Sequence, residues 1–150
     1  MTQSPQDIAP RQTWMGLLAR AAPDRLAALL PELPDHTLLR APEIGAVMVR
    51  GRIGGTAAPF NLGEMTVTRC VARLTDDPAT GHATVQGRNR PHALRAALID
   101  ALMQTDRAPA IRARILTPLA EEEATLRASR AAKAATTRVE FFTLVRGEDQ

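Results

Sequence analysis

The stretch that decides the fold is Glu64-Met65-Thr66-Val67-Thr68-Arg69-Cys70-Val71-Ala72-Arg73-Leu74. It is rich in β-branched residues and reads as a strand. Asp76, Asp77, Pro78 and Gly81 follow it as a turn, and His82 to Gln86 reads as the return strand. Upstream, Ile44 to Ile53 alternates, with Val47, Val49, Gly51 and Ile53 on one face and Met48, Arg50 and Arg52 on the other. Gly54 and Gly55 break that run, and Thr56 to Gly63 reads as a loop. Thr37 to Ala41 is a further short strand, closed off by Pro42. The centre of the chain is therefore an antiparallel meander.

Helical spacing surrounds it. Thr13 is placed to cap a helix over 14–21, with Trp14, Leu17 and Leu18 on one face. Pro23 stops it, and Asp24 opens a second short helix over 25–30, ended by Pro31 and Pro34. Pro91 suits a first helical position, where its missing N–H has no intrahelical partner. The helix it starts runs to about Gln104 with Leu94, Leu98, Ala101 and Leu102 as a buried stripe. Pro109 and Pro118 bracket a short helical piece. A long helix over 119–135 follows, with Glu121, Glu122 and Glu123 in its first turn, where the dipole favours acids. Val139 to Val145 reads as a last strand. The expectation is one α+β domain over 11–150, with a loose tail over 1–10. Its antiparallel sheet, a meander plus a C-terminal strand, packs with N-terminal, central and long C-terminal helices.

Composition narrows the function. Aromatics are 3% of the 150 residues, so the core must come from Ala, Leu, Val, Ile and Met. Such a core supplies a modest hydrophobic term, which favours support from a partner surface. The net charge of +3 gives no global nucleic-acid signal. The charge is concentrated instead. Arg50, Arg52, Arg69, Arg73, Arg88, Arg90 and Arg95 face only Glu64, Asp76 and Asp77 in the same stretch, so an anion belongs in the centre of the chain. The single Cys70 allows no internal disulfide and suits a reducing cytoplasm. No signal pattern opens the chain, and no apolar run approaches the roughly 20 residues of a membrane span.

Two constellations could carry chemistry. In Arg50-Gly51-Arg52-Ile53-Gly54-Gly55-Thr56, two guanidinium groups about 6–7 Å apart on one strand face can clamp a polyanion. The glycines let backbone N–H groups approach it, and Thr56 adds a hydroxyl. The plainer reading is a solvated basic edge with a Gly-Gly turn. In Gln86-Gly87-Arg88-Asn89-Arg90-Pro91-His92, a strand ends, a glycine turns and a helix begins, so free N–H groups and the dipole favour an anion. Arg88, Arg90 and His92 add donors there. Here the plainer reading is capping by Asn89 with exposed arginines. Arg69 and Asp100 sit among apolar neighbours, where a structural ion pair accounts for each; Glu64, Glu140 or an acid across an interface could serve Arg69. His36, His82 and His92 show no zinc spacing, and no nucleophile elbow is present.

Several segments together resemble the PhnG family of the carbon–phosphorus lyase system. They are Trp14-Met15, Arg50-x-Arg52-x-Gly54-Gly55-Thr56, Phe60-Asn61-Leu62-Gly63-Glu64-x-Thr66-Val67-Thr68-Arg69, Val85-Gln86-Gly87-Arg88, Ala97 to Leu102 and Arg138 to Gly147. The family often has a glycine where this chain has Ala57, and an aspartate where it has Asn89. The resemblance implies a cytoplasmic subunit of a complex with PhnI, PhnH and PhnJ, assisted by an ATP-binding-cassette-like subunit. The implied step is displacement of adenine from ATP by a phosphonate, giving a ribose 1-phosphonate 5-triphosphate. ATP enters as a substrate of the complex, and this chain is expected to bind no cofactor or metal of its own. The iron–sulfur chemistry of carbon–phosphorus cleavage falls to PhnJ, because one cysteine cannot ligate a cluster. No acid or nucleophile for the displacement stands out here, so catalytic groups are expected mainly on PhnI. Candidate substrate-binding or interface residues are Arg50, Arg52, Gly54, Gly55, Thr56, Arg69, Gln86, Gly87, Arg88 and His92. The competing function is a stand-alone module binding nucleotide or RNA, which the scarcity of aromatics for base stacking disfavours.

Overall fold

The structure is a computed structural model that describes residues 5–136; the strand read at 139–145 and Glu140 lie outside that range. Three strands form one antiparallel sheet in the order β1 (His36–Gly51), β2 (Phe60–Leu74), β3 (Thr80–Gln86). The chain order around them is α1 (Pro5–Arg20), α2 (Pro23–Leu29), the three strands, α3 (Arg90–Leu102), α4 (Ala108–Ile111), a π-helical turn (Arg112–Leu116) and α5 (Thr117–Thr136). The α+β class and the central meander hold.

α3 lies on one face of the sheet. Along that face Thr68 pairs with Val85, Cys70 with Ala83 and Ala72 with Gly81, all buried. Alternation places Val67, Arg69, Val71 and Arg73 of β2 on the other face. α3 is buried nearly all round, because α1 and α2, as well as the sheet, pack against it, and α4 also touches it. Its small residues Ala97 and Ala101 let α3 come close to the sheet at Gly81, and Ala93 and Ala96 are buried with them. This is how a chain with few large side chains makes a core.

Several boundaries differ from expectation, each for a local reason. α1 reaches back to Pro5, into the stretch read as a tail, so Thr13 lies inside the helix rather than at its start. β1 is one strand rather than two: it runs through Pro42 with register shifts between Leu38 and Arg40 and between Arg40 and Glu43. An edge strand with bulges tolerates the missing N–H of proline. β2 begins at Phe60 rather than Glu64, because Phe60, Asn61 and Gly63 pair back to Gly51, Arg50 and Val49. Gly81 belongs to β3 and not to the turn, which Asp77 closes by accepting from the Ala79 N–H at 2.7 Å.

The C-terminal helix also runs further than its prolines suggested. α4, the π-helical turn and α5 follow without a gap, so Pro118 does not end the piece before it. The Thr117 N–H reaches back five residues to the Arg112 carbonyl. Such a wide turn relieves the clash between a proline ring and the carbonyl four residues earlier. Glu122 and Glu123 consequently sit past the first turn of α5. They hold the helix to α2 and α1, through Arg25 at 2.7 Å and Arg20 at 2.7 Å. The hydrogen-bonded Arg20 guanidinium keeps the Glu123 carboxyl below the usual carboxylate range. Beyond Glu123, α5 is exposed to its end at Thr136.

Candidate functional site

The β1–β2 hairpin is longer than the sheet. β3 pairs with β2 only from Val67 to Arg73, so β2 from Phe60 to Thr66 and its partners on β1 project as a two-stranded arm. The two constellations lie at opposite ends of it. Arg50 pairs with Asn61 near the tip, whereas Gln86 pairs with Val67 at the base. Six residues of β2 separate these positions, about 20 Å. One ligand does not span both through this chain alone.

At the tip, Gly54 (φ 62°) and Gly55 (φ 77°) are both left-handed, inside a single 3-10 turn over Ile53–Gly55. A Cβ at either would meet nothing within 4 Å, so the backbone and not crowding requires glycine. The Gly55 N–H is turned back to the Arg52 carbonyl at 3.3 Å, and the Thr56 N–H caps the turn on Ile53. Those groups are used within the loop. The Arg52 guanidinium donates to the Ala57 carbonyl at 2.9 Å. Arg50 and Arg52 are exposed, and among the described residues neither has an acidic partner.

At the base, the structure brings Arg69, already a candidate, beside the second constellation. Arg69 pairs with Thr84 and Val67 with Gln86, so Arg69 and Gln86 are diagonal neighbours on the sheet face away from α3. Arg69 does not pair with Glu64, which lies opposite Met48; its guanidinium donates to the Ala46 carbonyl at 3.1 Å. Gly87 (φ 88°) makes the turn, held by its N–H on the Thr66 carbonyl and by the Thr68 hydroxyl on its own carbonyl. Arg88 and Arg90 follow, both exposed. His92 does not join them. Its ring is buried, and Nε2 donates to the Leu18 carbonyl at 2.8 Å, tying α1 to α3. Asn89 caps α3 by accepting from the His92 N–H at 2.9 Å. An aspartate would do the same with a charge added beside Arg88.

Asp100, read as one half of an ion pair, accepts from Arg11, Trp14 and the His82 N–H in the interior. This network is fully occupied and holds the fold. Cys70 is buried, and burial pushes its thiol pKa up. It should therefore resist a disulfide reagent at pH 8 until the chain is denatured. Rapid labelling of the folded protein would contradict that placement. Among the described residues, no three of His, Cys, Asp and Glu gather as a metal site, and no helix is long and apolar enough to cross a membrane.

A family model described as "Phosphonate metabolism protein PhnG" matches residues 9–147. The chain belongs to the PhnG family. Within it, a protein of Rhizobium meliloti (strain 1021) is 41% identical over 154 residues, covering 99% of this chain and 96% of that protein. That relative is the alpha-D-ribose 1-methylphosphonate 5-triphosphate synthase subunit PhnG. The match runs through both constellations and past the described residues.

Proposed function

We propose that this PhnG-family chain is a non-autonomous subunit of an alpha-D-ribose 1-methylphosphonate 5-triphosphate synthase, acting where a phosphonate displaces adenine from ATP. The near full-length likeness to a synthase subunit carries this reading. In the step, a phosphonate oxygen bonds to the sugar carbon that adenine leaves, and the departing base takes up a proton. The sister subunits are PhnI, PhnH and PhnJ, with the catalytic groups mainly on PhnI. The compartment is the cytoplasm.

Both reactants are polyanions, and the group at the arm base suits them: half-buried Arg69 with exposed Gln86 and Arg88 beside the Gly87 turn. Arginine forks bind phosphate and phosphonate oxygens with charge-assisted hydrogen bonds. The role given to this group is to complete a shared pocket. Omitting the chain from a reconstituted synthase should abolish turnover, and restoring it should recover turnover. Arg69→Ala with Arg88→Ala should leave the complex assembled and raise the KM for ATP by about tenfold or more, since each lost charged hydrogen bond is worth about 1.5–3 kcal/mol. Unchanged kinetics in an assembled complex would remove these residues from the pocket. A stand-alone nucleotide or RNA module is not favoured by the likeness, and full turnover without this chain is the result that would reopen it.

A further inference from the structure

The arm cannot be explained by the fold that carries it. Two strands without a third are at best marginally stable in water. Here they also display apolar side chains. Val47, Val49 and Gly51 share one face of β1, and a Cβ at Gly51 would lie 3.9 Å from both Phe60 and Leu62. The arm's apolar face is thus Val47, Val49, Phe60 and Leu62, with Phe60 40% and Leu62 65% exposed. Ile53 at the tip is 73% exposed. The other arm face offers Met48, Arg50 and the arm's single acid, Glu64.

Resting on the reading of the chain as a synthase subunit, we propose that this arm is its docking element. Its apolar face is covered by a sister polypeptide of different sequence, in a cleft with an apolar floor and an acidic rim that takes Arg50 and Arg52. Charge selects this occupant. Both arginines are exposed and lack an acidic partner among the described residues. A symmetric contact between two copies would set this basic tip either against itself or against the Arg69 and Arg88 end of the arm, and like charges facing across strands are destabilising. An acidic rim turns the same charges into a register for docking. The glycines at 54 and 55 then serve to close a tight basic tip that can enter a cleft.

The test is made in the complete, co-expressed complex. A photo-crosslinking residue replaces Leu62, and the adduct is mapped by mass spectrometry. The expected product joins this chain to a sister polypeptide, at a peptide containing Asp or Glu. Phe60→Ser with Leu62→Ser, and separately Arg50→Glu with Arg52→Glu, should each lower recovery of the sister polypeptides by about tenfold or more, the scale of interface hot spots. Leu126→Ser on α5, another exposed apolar position, should leave recovery unchanged. An adduct to a second copy, or to residues 137–150 of the same chain, overturns the occupant. No adduct from a complex that still contains the chain overturns the docking role and spares the subunit reading. A wild-type chain that recovers no sister polypeptide overturns both.

Discussion

Asp100→Ala is expected to lower the stability of this chain by about 3–5 kcal/mol, the usual result of removing one partner from a buried ion pair. The carboxylate is fully buried, with 0% of its side chain exposed. Four hydrogen bonds end on it: Arg11 Nε at 3.1 Å, a second Arg11 nitrogen at 2.7 Å, Trp14 Nε1 at 2.9 Å and the His82 N–H at 2.9 Å. Those donors come from α1 and β3, so one side chain on α3 holds three layers in register. Alanine takes the buried Asp100 carboxylate away from a mostly buried guanidinium, and also strands an indole and a backbone N–H. Asp100→Asn keeps the shape but turns one acceptor into a donor, so it should fall between the two. Urea denaturation reads both. A loss below about 1 kcal/mol for the alanine variant would show that water replaces the carboxylate freely.

What could be read in advance follows the range of the forces involved. The α+β class and the meander were legible because alternation and helical spacing are local. The Asp100 ion pair was legible in kind, since a charge amid Leu98, Ile99, Ala101 and Leu102 needs a partner. Its identity was not, because Arg11 lies 89 residues away in a segment read as mostly outside the first helix. Pro42 divides β1 into two runs in the sequence, but β1 is an edge strand, where proline's missing N–H costs no ladder bond. The same locality governed the candidate sites. Glycine at 54, 55 and 87 marked real left-handed turns. The distance between the two constellations depended on strand register, which no single segment encodes. His92 looked like a donor at a helix end, yet the docking of α1 turned its ring inward.

Gly81 carries the other large expected effect, for a reason invisible in sequence. It is buried on the sheet face beneath α3 and pairs with Ala72. A Cβ built there would lie 1.8 Å from the Ala97 carbonyl oxygen and 2.6 Å from the Ala101 nitrogen. Both obstacles are helix backbone, so no rotamer change can make room. Gly81→Ala must therefore lift α3 from the sheet or bend β3 away from β2. Lifting α3 opens the rows Cys70–Ala83 and Thr68–Val85, and pulls Asp100 from the His82 N–H on the next residue of β3. The strand's own preference runs the other way, because alanine loses less backbone entropy than glycine and would otherwise gain about 0.5–1 kcal/mol. Overpacking of a well-packed interior costs about 1–3 kcal/mol when side chains can yield. Against rigid backbone the loss should reach or exceed the top of that range, about 3 kcal/mol. Denaturation midpoints of Gly81→Ala beside Gly45→Ala decide it: a Cβ at Gly45 meets nothing within 4 Å, so that variant should be near neutral or slightly stabilised. Equal midpoints for the two would mean that α3 does not rest on β3 at this point.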